Sequence, residues 1–312
     1  MAEKILSNSA KAVTRCVRVL NKTRMLPQRM ARMLGRLTRI TLVACWLLVP
    51  AAGHADVVEI RTAEKIAATA DFRPGKADKP AILVLHGFLQ TRDFGIVKNI
   101  ADTLADEGYT VLSPTLSLGI SHRKRSLDCE ALHLHDMDVD LREIQQWVQW
   151  LRSRGHQRII GVGHSFGAAQ LMAWREQYRE KGFELIGVSL VGSAPFTLES
   201  RSSLARKDVA RKPPGADLVH APLSFCEIYT APAGKYASYD QWGDDRIIAA
   251  LKQSGSRTDV IMGSSDKFPP PDWEARLAKA GAHVHPIRGA NHFMDGSQEF
   301  DMLDIVLGIL KR

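Results

Sequence analysis

Four cysteines in 312 residues are too few to build a disulfide scaffold, so an apolar core has to hold this chain. No apolar run reaches the roughly 18 residues that a spanning helix needs. The longest candidate, Ile40 to Ala52, carries Pro50 near its end and stops at about 13 positions. Internal repeats and low-complexity linkers are absent, which favours one domain over an array of modules. An excess of positive charge is also missing where it would matter. The formal net charge is +8, but residues 1–55 hold ten basic side chains against the single acid Glu3. The remaining 257 residues carry 32 Lys and Arg against 33 Asp and Glu. A body that is close to neutral lacks the basic footprint of a nucleic-acid binder.

What is present begins with a sorting signal. The basic residues Lys4 to Arg39 precede the apolar run, and Gly53-His54-Ala55 places small residues at −3 and −1 before Asp56. A basic region, a short apolar region and a small-residue exit describe a secretory signal cleaved after Ala55. The protein is therefore expected outside the cytoplasm, periplasmic or secreted. The alternative is an uncleaved anchor over residues 40–53, and a mitochondrial presequence is a weaker reading of the Arg-rich start. Any membrane contact would run through this segment alone. Cleavage removes Cys16 and Cys45 and leaves Cys129 and Cys226, an even pair in an oxidising compartment, where a bridge is plausible.

From residue 56 onward, apolar strand-like runs alternate with helix-like periodicity, the pattern of a doubly wound, mostly parallel α/β sheet. Val57 to Ile60 and Ile66 to Phe72 read as an antiparallel entry pair. Ala81 to Leu85, Tyr109 to Leu112, Arg158 to Val162, Leu185 to Val191, Thr258 to Met262 and His283 to Ile287 read as core strands. Ile96, Ile100 and Leu104, then Leu141, Ile144, Trp147, Val148 and Leu151, recur at helical spacing. The stretch from about 195 to 256, rich in Pro, Gly and Ser, breaks the rhythm and is expected to be a small cap inserted in the domain 56–312.

One pentapeptide carries the chemistry. Gly163-His164-Ser165-Phe166-Gly167 follows a strand and opens a helix, the setting in which a sharp turn lifts a Ser hydroxyl above the sheet. A hydroxyl becomes a nucleophile only beside a base, and the base needs an orienting acid. Asp266 sits on the loop leaving the strand Thr258 to Met262, with Asp272 and Asp244 as competitors for the acid. His292 sits on the loop after His283 to Ile287. The order Ser165, Asp266, His292 is the one that such a turn requires. His86-Gly87-Phe88 follows the first core strand, so the N–H groups of Phe88 and Phe166 are candidates to hold an oxyanion. His86, upstream of the turn, reads as a histidine that fixes its loop.

Taken together, His86-Gly87-Phe88, Gly163 to Gly167, Asp266 and His292 resemble the α/β-hydrolase superfamily of serine hydrolases over about residues 57 to 312. The resemblance implies an eight-stranded sheet and a small-molecule acyl substrate cleaved through an acyl-enzyme, with neither metal nor organic cofactor. A carboxylic ester or thioester is the leading substrate. The alternatives are peptidase or amidase chemistry on the same three residues, or a silent fold acting as a binding protein. Two clusters stand apart. His133, His135, Asp136 and Asp138 have the makings of metal ligands, but Asp136 and Asp138 suit the first turn of the following helix. His122-Arg123-Lys124-Arg125 reads as a solvated loop, or as a contact for an anionic substrate group.

The signal reading predicts a mature chain starting at Asp56. N-terminal sequencing of exported protein checks it, and a chain that retains Trp46 would contradict it.

Overall fold

Strands that are apolar at every position need cover on both faces, and the architecture follows from that need. The computed structural model describes residues 55–196 and 218–312; apart from Ala55, the expected signal lies outside them. The strands are β1 (Asp56–Arg61), β2 (Ala67–Arg73), β3 (Ala81–Leu85), β4 (Thr110–Thr115), β5 (Ile159–His164), β6 (Glu184–Val188), β7 (Leu218–Leu223), β8 (Cys226–Pro232), β9 (Thr258–Gly263) and β10 (His283–Ile287). Eight of them form one sheet in the order β1-β2-β4-β3-β5-β6-β9-β10, and β7 pairs with β8 alone. β2 is antiparallel to both β1 and β4, while every other neighbour in the large sheet is parallel. The expected doubly wound, mostly parallel eight-stranded sheet and its antiparallel entry pair are therefore what the chain forms.

The period-two alternation divides the interior. Along β3, Ala81, Leu83 and Leu85 enter one core, and Ile82 and Val84 enter the other. The first core is closed by α2 (Met137–Ser153), α3 (Phe166–Gln177), α5 (Asp244–Ser254) and α6 (Trp273–Lys279); the second is closed by α1 (Gly95–Asp106) and α7 (Gln298–Leu310). Trp147 of α2 and Trp174 of α3 are fully buried, so truncation of either to Ala would cost about 3–5 kcal/mol. α2 starts where its charges dictate. Asp136 is its N-cap, accepting the Val139 N–H at 2.8 Å, and Asp138 and Asp140 occupy the first turn, where the exposed N–H groups favour negative charge.

The stretch expected as a cap, 195–256, has three described parts. The β7–β8 hairpin and α4 (Ala233–Asp240) lie over the first core, where Tyr229 and Tyr239 bring their rings against Phe88. α5 instead packs on α3 and α6 as part of the helical layer. The hairpin was not read from the sequence, although β7 alternates exposed Leu218 and His220 with buried Val219, Ala221 and Leu223. β6 ends at Val188, short of the expected Val191, because Ser189 turns the chain at φ 51° and donates its N–H to the Ile261 carbonyl at 2.8 Å.

Cys129 and Cys226 are joined, with Cα atoms 5.5 Å apart, across 97 positions of sequence. The bond ties the loop before α2 to the first residue of β8, beside the contact between the His133 N–H and the Thr230 carbonyl at 2.9 Å. Closing a loop of that length removes much unfolded-state entropy. Replacing both cysteines by Ser is expected to lower the unfolding free energy by about 3–5 kcal/mol. Urea denaturation of the two proteins under non-reducing conditions measures this, and coincident midpoints would contradict it.

Candidate active site

β3 is followed in the chain by β4 on one side of it, and β5 lies on its other side. At such a reversal the loops leaving two neighbouring parallel strands diverge and open a crevice at their carboxyl ends. The strands concerned are β3 and β5, paired from Ala81–Ile159 to Leu85–Gly163. The loop carrying His86, Gly87 and Phe88 is thereby set beside the turn carrying Ser165.

That turn is crowded. Ser165 adopts φ 56° and ψ −128° between β5 and α3, a region that a residue with a Cβ enters only when its surroundings enforce it. Its N–H donates to the Val188 carbonyl at 2.8 Å, which anchors the turn to β6. A Cβ on Gly163 would stand 2.5 Å from the Ala168 backbone, and one on Gly167 would stand 2.2 Å from the His86 carbonyl oxygen. Both glycines therefore answer to close backbone approach, as the sequence pattern suggests.

Ser165 does not stand alone. His292 Nε2 lies 2.9 Å from Ser165 Oγ, and His292 Nδ1 lies 2.7 Å from Asp266 Oδ2. The Asp266 side chain is wholly buried, and its second oxygen accepts the Phe268 N–H at 2.9 Å. A buried carboxylate needs such partners on both oxygens. With the carboxylate on Nδ1–H, Nε2 is left as the acceptor facing the hydroxyl. The Phe268 ring meets the imidazole edge to face at 4.7 Å. Of the competing acids, Asp272 precedes α6 in a left-handed conformation and Asp244 opens α5; the carboxylate on His292 is Asp266.

His164, to which the sequence reading assigned no role, also belongs to the site. It is buried, and burial with His292 nearby pushes its pKa down to about 3, so the ring is neutral. Its Nε2–H donates to the His292 carbonyl at 3.2 Å, which fixes the main chain of the base. The only sequence signal was a histidine inside the pentapeptide.

Phe166 is the first residue of α3, so its N–H has no partner within the helix. Phe88 lies in the turn closed by the Gln90 N–H on the Gly87 carbonyl at 3.1 Å, and the Phe88 and Phe166 rings meet edge to face at 5.4 Å. The two N–H groups remain the candidate oxyanion donors. His86 accepts the Leu116 N–H on Nε2 at 3.0 Å, so Nδ1 carries the proton and donates to the Gly87 carbonyl at 2.8 Å. It holds its loop, as expected.

The two remaining clusters resolve differently. Arg123 is neither solvated nor free for an anionic substrate. It is 4% exposed, and its guanidinium donates to the carbonyls of Leu116 (2.7 Å), Arg125 (2.8 Å) and Gln90 (2.6 Å). Burial lowers its pKa to about 10, opposed by the nearby carboxylates of Asp140 and Glu143. This overturns the expectation of a solvated or substrate-binding Arg123: carbonyls at positions 89, 90, 116 and 125, from three stretches of chain, converge on this point and need a multidentate donor. Lys124 and Arg125 are exposed. The His133 ring stacks on Tyr229 at 4.3 Å, and His135 Nδ1 lies 2.6 Å from the Tyr239 hydroxyl. Asp136 pairs with Lys235 as well as capping α2. Among the described residues, no group of three or more His, Cys, Asp and Glu side chains is arranged to hold a metal ion.

The geometry defines a class, and comparison with known proteins agrees with it. Residues 82–301 match the model of the alpha/beta hydrolase family, and the chain belongs to that family. Among solved structures it is similar to Est1E from Butyrivibrio proteoclasticus, at 15% identity and a TM-score of 0.59 over 81% of this chain and 98% of that one. It is also similar to a thioesterase domain from the curacin biosynthetic pathway, at 19% identity and 0.54 over 83% and 100%. An esterase domain from Rhodothermus marinus matches at 14% identity and 0.53 over 82% and 97%. No curated protein matches the chain.

Because a Cβ at 167 meets backbone on the facing strand loop, Gly167→Ala is expected to lose at least about 2 kcal/mol of stability through overpacking. Thermal unfolding compared with wild type tests this, and an unchanged midpoint would mean that the turn can open.

Proposed function

We propose that the protein is a serine hydrolase that cleaves a carboxylic ester or thioester through an acyl-enzyme. The carrying observation is the continuous line Ser165 Oγ, His292 Nε2, His292 Nδ1, Asp266 Oδ2, with separations of 2.9 and 2.7 Å at its two hydrogen bonds. His292 takes the Ser165 proton as Oγ attacks the acyl carbonyl. The N–H groups of Phe88 and Phe166 receive the negative charge on the carbonyl oxygen. Collapse of the tetrahedral adduct returns the proton through His292 to the leaving alcohol or thiol, and water, activated by the same imidazole, releases the acid. Asp266 keeps the proton on Nδ1 and stabilises the imidazolium that forms.

The rings around the serine support an apolar acyl group. Phe88 meets Phe225 at 6.0 Å, and Phe196 lies 5.7 Å from His292 and stacks on Phe268 at 4.4 Å. The names of the similar esterase and thioesterase domains are in line with an acyl carbonyl at this site. Export is supported by the bond between Cys129 and Cys226, since disulfides persist in oxidising compartments.

Ser165→Ala and His292→Ala should each lower kcat on a p-nitrophenyl ester by roughly 10³-fold or more with the fold intact, and the double variant should lose little beyond either one. Asp266→Asn should be severe through the wrong His292 tautomer, while Asp272→Asn and Asp244→Asn should turn over normally. Steady-state kinetics together with labelling by a fluorophosphonate decide the matter. Full activity and undiminished labelling in Ser165→Ala would overturn the reading.

A further inference from the structure

The loop that carries Phe88 is hydrogen-bonded to a distant stretch of sequence. The Phe88 N–H shares its peptide group with the Gly87 carbonyl, and that carbonyl accepts two hydrogen bonds, from His86 Nδ1 at 2.8 Å and from the Gln90 N–H at 3.1 Å. Hydrogen bonds at the oxygen of a peptide polarise it and strengthen its N–H as a donor. His86 can donate from Nδ1 only while Nε2 is an unprotonated acceptor. Two donors hold Nε2 in that state: the Leu116 N–H at 3.0 Å and Arg123 Nη2 at 3.4 Å. The same guanidinium grips two further carbonyls of the loop, Leu89 at 3.3 Å and Gln90 at 2.6 Å. It is also tied to the Leu116 and Arg125 carbonyls.

We propose that Arg123 is a positioning residue for the oxyanion donor, acting through His86 and the Leu89 and Gln90 carbonyls to hold the Gly87–Phe88 peptide aimed at the reacting carbonyl. The inference rests on the reading of Ser165 as nucleophile. It assigns Arg123 no contact with substrate. Lysine cannot replace it, because an ammonium lacks the planar fork that reaches a ring nitrogen and several carbonyls together.

The test compares Arg123→Lys, Arg123→Ala and wild type, with active sites counted by fluorophosphonate titration so that misfolded molecules drop out. Loss of one whole oxyanion donor costs about 10²–10³-fold in kcat, so misaiming one should cost roughly 10- to 100-fold per titrated site, with KM within about twofold. The affinity of a trifluoromethyl ketone, whose adduct carries the oxyanion, should fall in parallel with kcat. Millimolar methylguanidinium should restore part of the loss in Arg123→Ala and none in Arg123→Lys. A kcat per site within twofold of wild type in either variant overturns the inference, as does a loss of kcat without loss of ketone affinity. Should neither variant fold, ¹⁵N-histidine NMR of the wild type decides, because His86 must carry its proton on Nδ1 and a proton on Nε2 refutes the relay. Ser165→Ala is the separating control. If it keeps activity, the catalytic reading fails; if it is inactive while Arg123→Lys is not, only the role of Arg123 falls.

Discussion

The approach of the α3 N-terminus to the main chain leaving β3 is the constraint on which the rest of this molecule depends. It brings Gly167 so near the His86 carbonyl that no side chain fits between them. Ser165 and both candidate oxyanion donors lie along that seam. Ser165, the proposed nucleophile, stands two residues before Gly167, the proposed donors Phe166 and Phe88 flank the seam, and His86 holds the loop on its other side. The approach is possible because β3 and β5 are neighbours with Leu85 against Gly163, a pairing that parallel packing with cover on both faces stabilises. The position of Ser165 is thus a consequence of how two strands and one helix meet.

A second layer of polar contacts keeps that seam in place. Glu143 of α2, buried, accepts the Ser117 N–H at 3.0 Å and the Ser117 hydroxyl at 2.5 Å, and Asp140 accepts from Gln170 of α3 at 2.8 Å and from the Tyr239 hydroxyl at 2.6 Å. Burial pushes both carboxyl groups up from their ordinary range. Arg123 sits near them and donates to the loop that carries Phe88. Such a network specifies one arrangement only if its members are satisfied together, and here α2, α3, α4 and the loop after β3 all take part in it.

How far this was legible in the sequence depends on what each residue does. Ser165, Asp266 and His292 could be placed because each lies where an apolar strand stops, and strand ends are visible as a change in hydrophobic pattern. The sheet was legible for the same reason. Arg123 was not, because a charged residue in a run of charges looks solvated until the carbonyls that surround it come from positions 89, 90, 116 and 125. The hairpin was hidden by short strands and by proline and glycine around them. His164 could be read as part of a turn, but its contact with the His292 carbonyl joins residues 128 positions apart, and no local pattern encodes that.

The backbone at Ser165 has a consequence for how such a protein changes over time. A positive φ on a residue with a side chain costs on the order of 1–3 kcal/mol, and glycine would remove that cost. The folded chain would thus be more comfortable without the Ser165 side chain. A library screened for heat resistance alone, with no demand for turnover, should drift toward glycine at position 165, discarding chemistry in exchange for thermal tolerance.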